Sequence, residues 1–134
     1  MLTDFAALTA EIARIPNYRR VGRVSAVGTA ALEIVGLTHH ARIGDQVEIA
    51  RANGPPLGGE IVAISEAAAR AMTYEPLDGA AVGRPVTLMG AAGVHPDPAW
   101  AGRIVDAFGA PLDGAKLPAG PASSDLRRTP PPPA

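Results

Sequence analysis

The chain contains no cysteine and a single lysine, and each scarcity removes a class of chemistry. Without cysteine there is no disulfide, no thiolate metal site and no thiol nucleophile, a composition compatible with a reducing cytosol. A phosphate-binding loop of the form G-x-x-x-x-G-K-[ST] needs a lysine beside its glycines, and Lys116 lies instead in DGAKLP, so that loop is absent. Aromatic residues are also few: one Trp, two Tyr and two Phe. A core must therefore be built from Val, Ile, Leu and Ala, which favours a small, tightly packed barrel or sandwich. Charge of either sign is not in excess. Twelve basic residues face thirteen acidic ones, so nothing draws the chain toward phosphate backbones or anionic lipid, and no nucleic-acid partner is implied. The opening MLTDFAALTAEIARIP has neither a basic start nor a long apolar run, so it reads as neither signal peptide nor integral membrane segment, and a soluble cytoplasmic location is expected.

What is present fits one compact body with tails. At 134 residues and 47% hydrophobic content the chain supports one core. Residues 1–17 form a helical arm by pattern: Phe5, Leu8, Ile12 and Ile15 recur at helical spacing and share one face, Thr3 or Asp4 can cap its start, and Pro16 ends it. That stripe either packs on the chain's own barrel or docks into a groove on a partner. Over 18–90 the texture becomes β-rich: RVGRVSAVG, ALEIVG, QVEIA, GEIVAI, RAMTY and PVTLM are short strands separated by Gly, Pro and Asn-Gly or Asp-Gly turns. Six strands of this kind suggest a mainly β fold, a small six-stranded closed barrel that leaves no exposed sheet edge. ARIGDQVEI (41–49) and AAVGRPVTL (80–88) align without gaps, each with a glycine at a turn, Gly44 or Gly83, ahead of an alternating strand. Two copies of one unit point to a barrel of related halves.

Candidates for chemistry are few. His39, His40 and His95 are the only imidazoles, and adjacent histidines on an extended segment point to opposite faces, so His39 and His40 do not share a metal. No serine lies in a nucleophile-elbow context and no acid pair stands out, so neither a catalytic residue nor a cofactor or metal ligand is assigned. Arg19, Arg20 and Arg23 either serve a ligand or guard a strand edge, and with only Tyr18 beside them they make a poor platform for stacking single-stranded bases. An oligosaccharide- or nucleic-acid-binding barrel is disfavoured by the same charge and aromatic counts.

Beyond the barrel, 91–117 reads as a strand over Trp100–Asp106, a turn over Ala107–Gly109, and a return closed by Asp113-Gly114, with Pro111 fixing φ. The remaining 118–134, ending in Pro130–Pro133 and Ala134, is Pro-, Ser- and Ala-rich and reads as a linker or entry loop, with a proline-motif ligand as the other use of such composition.

The segment GRIVDAFGAPLDG resembles the G-R-V-x-D-x-x-G-x-P-[IL]-D-G sequence that closes the N-terminal β-barrel of catalytic subunits in the rotary ATP synthase family. Its matching residues are Gly102, Arg103, Asp106, Gly109, Pro111, Asp113 and Gly114. The stretch EIARIPNYRRVGRVSAVG is most similar to the flagellum-specific ATPases that power type III protein export, especially their alphaproteobacterial forms. The resemblance implies a barrel that helps hold six subunits in a homo-oligomeric ring. It further implies a helix that meets a regulator similar to a peripheral stalk, mapped by pattern onto Phe5, Leu8, Ile12 and Ile15, and a place in the export apparatus, peripheral to the export gate at the inner membrane. In the full-length family ATP and magnesium are the cofactors, bound outside this stretch of chain, so hydrolysis is expected from residues beyond Ala134 and no nucleotide-binding residue is carried over. The other reading is a stand-alone adaptor barrel that recruits a protein through its helix or its Pro-rich tail.

Overall fold

The computed structural model describes residues 2–15, 18–125 and 129. Pro16 and the run Pro130–Pro133, assigned above as helix stop and linker, lie outside the described residues. Contacts divide the chain into two compact units, Pro16–Ala91 and Met1–Ile15 with Ala92–Ala134.

The first unit is a closed antiparallel barrel of six strands: β1 (Arg20–Val27), β2 (Leu32–Val35), β3 (Asp45–Ile49), β4 (Leu57–Ile64), β5 (Ala69–Thr73) and β6 (Pro85–Ala91). They close in the order β1-β2-β5-β4-β3-β6, so every strand is paired on both sides. Strand alternation sends one set of side chains inward. Val24, Leu32, Ile34, Val47, Ile49, Leu57, Ile61, Ala69, Ala71 and Val86 are buried there, joined by Leu37 and Ala41 from the β2–β3 loop. No aromatic residue is among them. Volume is balanced across the β2–β5 pair, where Leu32 faces Ala71 and Ile34 faces Ala69, a large residue against a small one at each step.

The 41–49 and 80–88 segments are neighbours in the barrel. Val47 corresponds to Val86 and Ile49 to Leu88 in the alignment, while in the ladder Val47 faces Leu88 and Ile49 faces Val86. Exchanging the two strands therefore reproduces the pairing, which is a local twofold axis between β3 and β6. The same symmetry relates β1 to β4, a second echo visible as GRVSAV (22–27) and GEIVAI (59–64). β1 carries a bulge between Val24 and Ala26, and β4 carries one between Ile61 and Ala63. The Gly44 N–H donates to the Ile61 carbonyl and the Gly83 N–H to that of Val24, both at 2.8 Å. Both turn glycines have positive φ, +92° at Gly44 and +84° at Gly83. The hairpins match too: Gly28 N–H to Ala31 O at 2.8 Å, and Ser65 N–H to Ala68 O at 2.9 Å.

Two glycines mark the closest approaches in this small barrel. A Cβ on Gly22 would lie 2.6 Å from the Val35 carbonyl oxygen, and one on Gly59 would lie 2.7 Å from that of Met72. The positions are twofold mates meeting mates, so one steric constraint is met twice by the one residue without a side chain.

The second unit contains α1 (Leu2–Arg14), a two-stranded pairing of β7 (Gly93–Val94) with β8 (Ser124–Asp125), and a 3-10 turn at Pro98–Trp100. Several expectations are corrected by the structure. The helix starts at Leu2, so Thr3 and Asp4 lie inside its first turn and are not its cap. Trp100–Asp106 is not a strand: Asp97 and Pro98 start the 3-10 turn there, Gly102 follows at φ +79°, and only Val105 bridges to Pro111. His39 and His40 sit in a turn closed by the His40 and Ala41 N–H groups on the Leu37 carbonyl, not on extended backbone. Arg23 guards no edge, because it is level with Val35 of β2 and with Pro85 of β6, whereas Arg20 lies before the β1–β2 register and is level only with Leu88 of β6.

Gly22→Ala and Gly59→Ala should each destabilise the barrel by about 1–3 kcal/mol, since a backbone carbonyl rather than a flexible side chain must yield. Urea denaturation followed by far-ultraviolet circular dichroism measures this, and a loss below about 0.5 kcal/mol would contradict the close crossing.

Candidate functional site

Three surfaces carry the residues singled out in the sequence. The first is α1. Helical spacing places Phe5, Leu8 and Ile12 on one face, and Ile15 follows just past the last helical turn, its N–H donating to the Ile12 carbonyl at 3.1 Å. All four are exposed, at 72%, 51%, 58% and 63%. Thr9 bonds back to the Phe5 carbonyl at 2.7 Å, satisfying its hydroxyl within the helix and leaving the apolar face undisturbed.

The second is the loop 102–114, whose family-type residues each have a structural task. Arg103 Nε donates to Asp113 Oδ2 at 2.8 Å, and its Nη2 donates to the same carboxylate, a two-pronged ion pair that ties the two limbs of the loop together. The Asp106 Oδ1 accepts from the Phe108 and Ala110 N–H groups, each at 2.8 Å, and shapes the tip as a side-chain-closed turn. Gly109 has φ +83°, and a Cβ there would meet the Trp100 ring at 3.0 Å. Gly102 and Gly114 are also at positive φ, and Pro111 makes the bridge to Val105. Trp100 in turn donates its indole N–H to the Pro118 carbonyl at 2.6 Å. Two backbone bonds cross the limbs, Asp106 N–H to the Ala110 carbonyl at 2.9 Å and Leu112 N–H to the Ile104 carbonyl at 3.0 Å, and side-chain hydrogen bonds and glycine turns hold the rest of a segment expected to be a strand and its return. Ile104 and Leu112 project from its limbs as exposed apolar side chains.

The third surface was only half visible in the sequence. Arg20, singled out with its neighbours, lines an open groove on the barrel with Tyr18, His40, Arg42, Asp45 and Leu88–Ala91. Arg42 was not singled out, because its closeness to Arg20 depends on β3 and β1 flanking β6 from opposite sides. Arg19 and Arg23 do not line this groove; Arg23 donates to the Gly83 carbonyl at 3.1 Å.

Among the described residues no group of three or more His, Asp or Glu could hold a metal ion, and no helix is long and apolar enough to cross a membrane. Lys116, the sole lysine, is exposed between Ala115 and Leu117, with no glycine-rich cradle at a helix start around it. The residues present thus do not fit a nucleotide or its magnesium.

The fold and these surfaces define a small closed-barrel module with an amphipathic N-terminal helix. No family model matches the sequence. Over 130 residues the chain is 38% identical to a flagellum-specific ATP synthase of Caulobacter vibrioides, a match spanning 96% of this chain and 29% of that protein. A type 3 secretion system ATPase of Pseudomonas syringae pv. syringae is 36% identical over 112 residues, covering 83% of the chain and 24% of its relative. A flagellum-specific ATP synthase of Agrobacterium fabrum is 32% identical over 107 residues, covering 80% and 22%. The chain belongs to the family of flagellum-specific and type III secretion ATPases, as the counterpart of their barrel domain. It spans between 22% and 29% of the length of these relatives. Those relatives are named as ATP synthases or ATPases.

The Arg103 guanidinium, followed by the Ala115 N–H, lowers the pKa of the Asp113 carboxyl below its ordinary value. A depressed carboxyl contributes stability that is complete above its unfolded pKa and lost as pH falls through its folded pKa. The loop should therefore hold at neutral pH and loosen only below the usual carboxylate range. Trp100, the single tryptophan, reports on it: its emission should shift to the red on acidification. In Asp113→Asn the shift should already be present at neutral pH, and an Asn variant that keeps the wild-type acid transition would remove Asp113 as its cause.

Proposed function

We propose that this chain is the oligomerisation and regulator-binding domain of a flagellar or related type III protein-export ATPase. In this reading the barrel belongs to a six-membered ring, and α1 is the attachment point of a regulator similar to a peripheral stalk. The assembled protein acts in the cytoplasm, peripheral to the export gate at the inner membrane. ATP hydrolysis falls to the part of the relatives that this chain does not match.

The observation that carries the reading is the exposed stripe of Phe5, Leu8, Ile12 and Ile15 along one side of a helix. Exposed helix faces with apolar residues at such spacing are the element that helix-in-groove recognition uses. Sequence similarity to export ATPases over almost the whole chain supplies the setting. The absence of a phosphate-binding loop is consistent with a division of labour in which this part assembles and another part hydrolyses.

Truncating apolar anchors typically costs a complex about 2 kcal/mol or more per anchor. Phe5→Ala with Leu8→Ala should therefore abolish co-purification with that regulator. The circular dichroism of the strands should stay unchanged, since no barrel residue is altered. Retained binding by a folded double variant would reject the helix as the docking element.

A further inference from the structure

A second groove on the barrel also carries an arginine, but an engaged one. Its lining includes Glu48, Ala50, Arg51 and Pro85, and the Arg51 charge is neutralised there. Arg51 Nε donates to the Pro55 carbonyl at 2.6 Å, and its Nη2 pairs with Glu75 at 3.5 Å. Arg20 and Arg42 line the first groove, and neither guanidinium has an ion-pair partner among the described residues. Arg20 lies over the Tyr18 ring at 5.2 Å, which orients it without cancelling its charge. Asp45 is the one acid in the lining, and it is spoken for: it is buried, and its Oδ2 accepts from the Arg42 backbone N–H at 2.8 Å. His40 is exposed beside them.

Between the two arginines runs an apolar floor made by the end of β6. Met89 is exposed, and Gly90, at φ +88°, has nothing within 4 Å of where a Cβ would stand. That bare backbone leaves room for another chain to lie close. Arg20 is level with Leu88 in the β1–β6 ladder, and Asp45, which fixes Arg42, is level with Ala91 in the β3–β6 ladder. The two cationic sides are thus offset by three β6 residues, about 10 Å along the strand, and stand one on each side of it.

We propose that this groove receives an acidic, extended segment of a partner protein, with two carboxylates about four residues apart and an apolar side chain between them. Guanidinium groups match carboxylates in planar, two-pronged geometry, and the Met89 floor suits an aliphatic side chain. A mixed lining of this kind, on a protein with balanced charge and a single aromatic beside the arginines, favours polypeptide over nucleic acid or lipid. The groove lies wholly in the barrel unit and is separate from the α1 stripe, so its test is independent of the regulator reading.

The probe is a fluorescein-labelled peptide containing Glu-Ser-Leu-Ser-Glu, titrated with the full 134-residue chain in fluorescence anisotropy. The glutamine counterpart, Gln-Ser-Leu-Ser-Gln, should not bind. Arg20→Glu and Arg42→Glu should each weaken the glutamate peptide about tenfold or more, the scale of one charge-assisted contact, with circular dichroism confirming the fold. Arg51→Glu, in the second groove, should leave it within about twofold. Equal binding of the two peptides, wild-type affinity in folded Arg20→Glu and Arg42→Glu, or an equal loss in Arg51→Glu would overturn the proposal. So would phosphatidylglycerol vesicles or a single-stranded oligonucleotide that bind more tightly than the peptide and are lost with the same two arginines, which would assign the groove to a different class of ligand.

Discussion

The antiparallel pairing of β3 with β6 is the contact on which the barrel depends. It joins two copies of the same turn-and-strand unit about a local twofold axis, and it closes a ring of strands that would otherwise end in two open edges. Much of the remaining geometry repeats under that axis. Each turn glycine, Gly44 or Gly83, reaches with its N–H to the carbonyl before the bulge in the neighbouring strand, and each bulge bends its strand enough for closure. Gly22 and Gly59 stand where the bent strands come nearest to a neighbour's carbonyl oxygen.

Symmetry of backbone is not symmetry of surface, and function resides in the difference. Leu32 and Ile34 on β2 have Ala69 and Ala71 as their mates on β5, which fills one small interior without crowding it. Outside, Arg51 in one groove is satisfied by Glu75 and a carbonyl, while in another Arg20, half-buried, and Arg42, exposed, have no ion-pair partner among the described residues. A fold built by doubling can thus keep one half for structure and leave the other free to recognise something.

The second unit is held by different means. Its loop at 102–114 has a ladder of only two cross-limb backbone bonds around the Val105–Pro111 bridge, and Arg103–Asp113, the Asp106 turn and the Trp100–Pro118 bond add to the holding. Charge-assisted bonds and glycine turns suit a segment whose apolar residues, Ile104 and Leu112, face outward. In α1 local hydrogen bonds make the helix, and Phe5, Leu8 and Ile12 are exposed on it. Membership in the export ATPase family makes sense of such surfaces, since the matched region is about a quarter of each relative's length.

The short strands, their count and their glycine turns were legible in the sequence because alternation and turn chemistry are local, and so was the stripe of Phe5, Leu8, Ile12 and Ile15 on a helix. The echo of 41–49 in 80–88 was legible too, though not that the two strands are partners. Trp100–Asp106 misled because its β-like residues carry no sign of the Asp97–Pro98 start or of the bonds from Asp106 and Arg103 that help hold it. By itself the sequence determined the barrel class, which rests on neighbouring residues and fixed spacings. Only the tertiary structure decided that β1 pairs with both β2 and β6, that Gly22 and Gly59 meet one shared constraint, and that Arg20 and Arg42 flank one groove. Those facts depend on which strands lie side by side, and closure brings together residues whose separation along the chain carries no trace of their meeting.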